Sequence, residues 1–351
     1  MNATDHGPLR LTQFSHGGGC GCKIAPALLR EILGNTGPAT VPANLIVGIE
    51  TSDDAAVWKI NERQAIVATT DFFMPIVDDP HDFGAIAATN AISDIYAMGG
   101  TPLFALALVG MPIDRLPVET IRRILDGGES VCANAGIPIA GGHTIDSVEP
   151  IYGLVAIGLV DPANVKRNAG ARAGDALILG KALGVGVYSA ALKKGKLIAP
   201  HYAAMIASTT QLNTPGVVLG TMESVHALTD VTGFGLAGHL LEVCRASGVG
   251  ATIEVARLPL LPGVLELARE GFVTGASGRN WAGYGNAVVL GPGMGEVERA
   301  LVTDPQTSGG LLVACAPEAV GDVLALFRAD GFGHAAVIGG IVPGAPHIAL
   351  R

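Results

Sequence analysis

Residues 81–98, His81-Asp82-Phe83-Gly84-Ala85-Ile86-Ala87-Ala88-Thr89-Asn90-Ala91-Ile92-Ser93-Asp94-Ile95-Tyr96-Ala97-Met98, set the tightest limit on the fold. They read as one long helix. Its second half is small and apolar nearly all round, so no face is left for water and other elements have to enclose it. Asn90 and Asp94 are four apart and share one face. A carboxylate in such surroundings is costly unless a cation or hydrogen-bond donors meet it. The alternative, a solvated face, asks for more charge than this helix carries. Gly99-Gly100-Thr101-Pro102 stops the helix, and the continuous apolar run Leu103–Gly110 reads as a buried strand.

A chain of 351 residues is long enough for two domains with cores of their own. Glycine is abundant at 49 residues and aromatics are scarce at 5%, which suits tightly packed α/β layers with many turns. A net charge of −9 speaks against a nucleic-acid surface. There is no apolar run of membrane-spanning length and no apolar signal core at the N-terminus. Cys20, Cys22, Cys132, Cys244 and Cys315 are an odd, scattered set that fits a reducing cytoplasm better than a disulfide framework.

Around the helix the chain alternates short β-like runs with helical ones. Leu45–Ile49, Ala55–Ile60 and Ala65–Thr70 read as strands, with Asp53, Asp54 and Asp71 at their ends, where loops carry chemistry on a rigid frame. A helix over residues 117–135 and a strand Ile137–Ala140 lead into Gly141-Gly142-His143-Thr144-Ile145-Asp146, a turn able to offer amides to an anion. His143 alone reads more simply as a structural histidine. Strand Ile151–Val160 closes this half. The polar stretch 162–175 reads as a linker, with Lys166 and Arg167 solvated rather than phosphate-binding. The expected units are therefore 1–44 (a glycine-rich segment and first helix), 45–161, 162–175 and 176–351. The last unit runs strand Ala176–Gly180, helices across 184–222, Asp230 in a turn before a helix at 234–247, and the polar run Asp304-Pro305-Gln306-Thr307-Ser308-Gly309-Gly310. A strand Leu311–Cys315, a helix at 317–329 and a strand near 335–341 end it. Gly233, Gly235 and Gly238 spell G-x-G-x-x-G. The run before them looks short and broken by His226 and Thr229, and Glu254 is only loosely placed, so a dinucleotide fingerprint is not expected.

The chemistry gathers near the start, in Ser15-His16-Gly17-Gly18-Gly19-Cys20-Gly21-Cys22-Lys23. Glycine allows positive φ and exposes amides, so this segment is expected to fold over a ligand and to close when one binds. Ile24–Leu33 reads as a helix with Pro26 in its first turn. That helix N-terminus and Lys23 would both favour thiolate at Cys20 and Cys22. An inert flexible arm is the competing reading. The segment is no Walker A loop, since Lys23 follows Cys22 and Ile24 stands where Ser or Thr would hold magnesium. Asp54, Asp71, Asp94 and Asp230, with Lys23 and nearby Asn90, look like a magnesium cluster serving a polyphosphate. The thiols add a soft nucleophile.

These residues resemble the selenophosphate synthetase (selenide, water dikinase) family. The likeness runs through Gly19-Cys20-Gly21-Cys22-Lys23, Asp53-Asp54-Ala55-Ala56-Val57, Thr70-Asp71-Phe72-Phe73, the stretch 90–100, Gly141-Gly142-His143-Thr144, Leu228-Thr229-Asp230-Val231-Thr232-Gly233-Phe234-Gly235 and Asp304–Gly310. The acidic motifs are shared with a wider superfamily that includes aminoimidazole ribonucleotide synthetase; the Cys/Lys loop narrows it. The resemblance implies a two-domain α/β fold whose N-terminal sheets pair into a dimeric barrel, with a C-terminal α/β sandwich. It implies synthesis of selenophosphate from ATP, selenide and water, with AMP and phosphate released. Cys20 would be the catalytic thiol, Cys22 its companion and Lys23 a phosphate contact. Asp54, Asp71, Asp94 and Asp230 would hold Mg2+, with K+ as a further candidate ion. Thr51, Ser52, Asp53, Asp71, Asp94, Gly142, His143 and Thr144 would contact ATP. A cytoplasmic homodimer served by a selenium-delivery protein completes the expectation. The alternatives are a superfamily enzyme that forms only ADP, and a metal- or redox-binding module built on Cys-x-Cys.

Overall fold

A computed structural model of the chain describes residues 9–24, 28, 31–32, 41–48 and 53–351. The helix expected over Ile24–Leu33, with its Pro26, lies largely outside these residues. Thr51 and Ser52 lie wholly outside them.

The central helix, α1 (Pro80–Ala97), is enclosed as its composition demands: every residue from Phe83 to Ala97 is buried. The Asp79 carboxylate caps it by accepting the Asp82 N–H. Among the described residues, six strands form one sheet in the order β1-β2-β3-β6-β4-β5. They are β1 (Leu45–Val47), β2 (Ala56–Asn61), β3 (Gln64–Phe73), β4 (Thr101–Met111), β5 (Ile139–Asp146) and β6 (Ile151–Val160). Helix α1 lies on β3 and β6, and α2 (Val118–Asn134) packs against α1. The two helices meet backbone to backbone. A Cβ on Gly84 would overlap the Ile124 carbonyl, and one on Gly127 the His81 carbonyl.

Among the described residues, seven strands form a second sheet, ordered β10-β13-β9-β12-β7-β11-β8. They are β7 (Ala176–Leu179), β8 (Val225–Asp230), β9 (Gly250–Ile253), β10 (Val288–Val289), β11 (Leu311–Cys315), β12 (Ala336–Val342) and β13 (Ile348–Leu350). Both faces are covered. Leu177 and Leu179 join a core with Leu240 and Ile338, while Ile178 joins Val313 and Phe327 on the other side. That alternation is the period-2 geometry of a strand buried on both faces. The helices of this half are α3 (Val185–Lys193), α4 (Ala199–Thr209), α5 (Pro215–Thr221), α6 (Gly235–Ser247), α7 (Val264–Arg269), α8 (Gly275–Tyr284), α9 (Glu296–Thr303) and α10 (Val320–Ala329). Helix α1 also touches β8, α4 and α5, so it is common to both halves.

Four local expectations change. Strand β3 runs through Asp71 to Phe73 because β6 pairs along its whole length, from Ala65↔Val160 to Phe73↔Tyr152; pairing overrides the low strand preference of aspartate. Residues 141–146 are strand rather than turn, since β4 pairs with them in parallel. The run 225–230 is a continuous strand, held by antiparallel β11, and Asp230 is its last residue rather than part of a turn. Lys166 is not a solvated linker residue either: its amine donates to the Met222 and Val225 carbonyls at 2.8 Å each.

Candidate active site

The face of β3 turned to α1 carries Ala65, Val67, Thr69, Asp71 and Phe73, alternate residues of one strand. Two residues of strand advance about 6.6 Å and four of helix about 6 Å, so polar pairs at those spacings meet in step. Thr69 Oγ donates to Asp94 at 2.5 Å, and Asn90 Nδ2 donates to Asp71. This match explains how an apolar helix carries a carboxylate and an amide.

Asp54 before β2, Asp94 on α1 and Asp230 at the end of β8 bring a carboxylate oxygen each within 4.8 Å of one another. Their neighbours are hydroxyls. Thr229 donates to Asp54 at 2.9 Å, and Ser93 donates to Asp230. Burial, followed by mutual repulsion, holds Asp54 and Asp94 well above the usual carboxylate range, and burial raises Asp230. Three hard oxygen donors forced together suit a divalent cation such as Mg2+. Buried Asn213 Oδ1 and Ser308 Oγ, without hydrogen-bond partners among the described residues, lie in the same network.

Asp71 stands beside this triad rather than in it. Its other oxygen lies 3.9 Å from Lys23 Nζ, and Asp71 raises the lysine's pKa. Asn90 links it to the thiol: the Cys20 Sγ–H donates to Asn90 Oδ1 at 3.1 Å, and Ser308 N–H donates to the same oxygen at 2.7 Å. Cys20 is 1% exposed. Its thiol pKa is pushed well up, first by burial and then by Asp71, with Lys23 opposing. Cys22 is half-buried and pushed up to about 11 by burial. Lys23 pulls the Cys20 thiol toward thiolate as expected, but desolvation outweighs it; the helix N-terminus of that expectation lies largely outside the described residues.

The loop is seated rather than loose. Gly19 N–H donates to the Met74 carbonyl at 2.9 Å, and Cys20 N–H to Thr307 Oγ at 3.0 Å. Gly19 has φ +56°, and a Cβ there would strike Thr307. The G-x-G-x-x-G glycines have the same kind of reason. A Cβ on Gly233 would strike the Cys20 carbonyl, and Gly235 and Gly238 face the 303–304 backbone and Tyr284. The strand before them is real, but it pairs antiparallel, so this is no dinucleotide fold.

Thr307 and Ser308 were legible only as part of a polar run. Asp304, Gln306, Thr307 and Ser308 are all buried. Gln306 Oε1 accepts from Gly184 and Val185 N–H, and Asp304 from Gly186 N–H. Ser308, at φ +51°, is the one non-glycine residue with positive φ among the described residues. Such a conformation marks a loop shaped for a task. Lys181 holds it: its amine donates to the Ser308 and Gln211 carbonyls at 2.9 and 2.7 Å.

Asp53 lies beside the triad's Asp54, its carboxylate accepting the Asn168 N–H at 2.6 Å. Gly142, His143 and Thr144 are not brought to the triad. The register Asp71↔Leu154↔Ala107↔Gly142 puts Gly142 three strands from Asp71, about 14 Å away. His143 is exposed on the sheet edge and is no buried structural histidine.

Fold and site together define an AIR synthase related protein. Residues 52–160 match that family's N-terminal domain and 172–349 its C-terminal domain. A thiamine-monophosphate kinase from Stenotrophomonas maltophilia shares the fold, with a TM-score of 0.63 at 20% identity over 94% of this chain and 96% of that one. Within this class the chain belongs to the selenide, water dikinase family. It is 67% identical to the selenide, water dikinase of Dechloromonas aromatica over 97% of this chain and 98% of that protein. It is 66% identical to that of Burkholderia pseudomallei over 98% of both. No helix among the described residues is long and apolar enough to cross a membrane.

Proposed function

We propose that the chain makes selenophosphate from ATP, selenide and water, releasing AMP and phosphate. The observation that carries this is the bridge through Asn90, which joins the Cys20 thiol to Asp71 beside a three-carboxylate cluster. An enzyme that only split ATP would need the acidic set and Lys23. A thiol buried in contact with that set suits a soft chalcogen acceptor.

In this reading Asp54, Asp94 and Asp230 would hold Mg2+, with Asp71 beside them as a further ligand. Held by these carboxylates, Mg2+ would supply charge neutralisation and Lewis-acid polarisation to a polyphosphate. Lys23 adds its charge to the phosphates and Cys20 positions selenium. Asn90 orients both Cys20 and Asp71, and the Thr307–Ser308 turn fixes the Cys20 peptide. Thr51, Ser52 and Asp53 contact the nucleotide. K+ as a further ion, a cytoplasmic setting and a selenium-delivery protein belong to the same reading.

Gly142, His143 and Thr144 enter through a second copy of the chain. Two features support a homodimer built on the first sheet. Edge strand β5 is exposed along nearly its whole length. The sheet also exposes Trp58, Ile60, Phe72, Leu103 and Ile145, each 41% or more, and a monomer seldom leaves so much apolar surface open. Pairing this face buries it and brings a partner's β5 toward the nucleotide.

Two variants test the chemistry. Asp94→Asn is expected to abolish ATP cleavage with the fold intact. Cys20→Ser is expected to abolish selenophosphate formation without lowering the melting temperature. Wild-type selenophosphate yield from either variant contradicts the assignment.

A further inference from the structure

The loop that carries Cys20 has a second side. Behind it lies a cleft of about 350 Å3, walled by His16, Gly21, Lys193, Lys194, Arg279 and Thr307 among others. It ends against the Cys20 peptide, because the Thr307 hydroxyl in its wall accepts the Cys20 N–H. Cys22 adjoins the lining: a Cβ on Gly17, a wall residue, would sit on Cys22 Sγ, and the charges of Lys193 and Arg279 reach that thiol.

The sign of this cleft is opposite to that of the molecule. The chain carries a net −9, yet no carboxylate lines the cleft. Glu149 stands outside the lining and pairs with His16 at 3.0 Å. Arg279 donates to the Gly21 carbonyl at 3.0 Å, and Lys194 lies over the Phe272 ring. Lys193 has no hydrogen bond or ion pair among the described residues. An anion in the cleft thus meets one amine with its donors available, two further cations and the glycine backbone of the loop. On the thiol side of the loop the same anion meets Asp71 and the triad, where the nucleotide and its metal are expected.

We propose that this cleft admits and holds the selenium substrate as the monoanion HSe⁻, one peptide away from the Cys20 thiol. The proposal rests on the selenophosphate reading and names the route of its second substrate. Selenide is singly ionised at neutral pH, and a cationic recess raises the local concentration of such an ion. The volume accommodates it with several waters, each needing about 30 Å3.

The test is the double charge reversal Lys193→Glu/Lys194→Glu, read in two ways. In steady-state assays with anaerobic selenide, KM for selenide is expected to rise about tenfold while KM for ATP stays within about twofold. In the second readout, Cys22 is alkylated with iodoacetate and, separately, with the neutral iodoacetamide, and the products are counted by mass spectrometry. The ratio of the two rates cancels any change in thiolate fraction. It is expected to fall about fivefold or more in the variant. An unchanged KM for selenide, or an equal rise for ATP, overturns the route. An unchanged alkylation ratio overturns the anion cleft itself. If the wild-type protein forms no selenophosphate, the reaction reading falls, and the alkylation ratio alone then decides whether the anion cleft stands.

Discussion

At the scale of single residues, the site is held in a state that costs stability. Asp54, Asp94 and Asp230 have carboxylates within 4.8 Å of one another, and all three have raised pKa values. A carboxylate whose pKa is higher folded than unfolded stabilises the fold below the ordinary carboxylate range. That contribution is lost as the pH rises through the shifted value. Chelator-treated protein should therefore gain stability from Asp94→Asn, and the gain should grow as the pH rises from about 4, the ordinary carboxylate range, into the neutral range. Calorimetry across that range checks it. A variant melting below wild type at the upper end would mean the carboxylates do not repel. Asp78 and Asp79 run the other way. Against the opposing effect of burial, hydrogen bonds from Thr12 and then Arg10 at one, and from the Asp82 N–H and then Arg123 at the other, lower their pKa values, so their contribution is lost on acidification. The buried thiol gives a second check. Cys20 should alkylate far more slowly than half-buried Cys22. Thr307→Val, which removes the acceptor for the Cys20 N–H, should speed Cys20 alkylation about tenfold, the worth of one buried hydrogen bond. An unaltered rate would show that Thr307 does not seat the loop.

At the scale of elements, α1 is the piece against which both halves are built. Its apolar composition was legible as enclosure, and Asn90 and Asp94 as a buried polar face. What met that face was not legible. Thr69 and Asp71 reach it only because β3 continues past Thr70, and the strand continues only because β6 pairs with it. Pairing between distant stretches also turned 141–146 into strand and made 225–230 continuous, neither of which local preference reveals. Asp54, Asp71, Asp94, Asp230, Cys20 and Lys23 stood out as unusual residues in unusual places. Thr69, Ser93, Thr229 and Asn213 did not, because a hydroxyl or amide that serves a carboxylate looks like any other until the fold places it. The glycine-rich loop was read for its flexibility; its glycines turn out to be fitted against Thr307, Ile76 and Pro75. The α1–α2 contact makes a sharp prediction. Gly84→Ala puts a methyl into the Ile124 carbonyl and should cost about 3 kcal/mol. Urea unfolding measures this, and a loss near zero would show that the helices separate freely.

At the scale of the whole molecule, α1 ties the two halves together, while among the described residues the first sheet leaves an apolar face and the edge strand β5 exposed. The homodimer proposed above would cover both. Phe72→Asp, placing a charge on that face, should convert a species of twice the chain mass to one of single mass in sedimentation velocity, and should remove activity with it. A wild-type protein that sediments as a monomer at full activity would leave Gly142, His143 and Thr144 without a role. Phosphorus NMR of the purified protein with ATP, Mg2+ and anaerobic selenide tests the central claim most directly. Selenophosphate appearing together with AMP and phosphate is the predicted result. ADP as the sole product, formed equally without selenide, would contradict it.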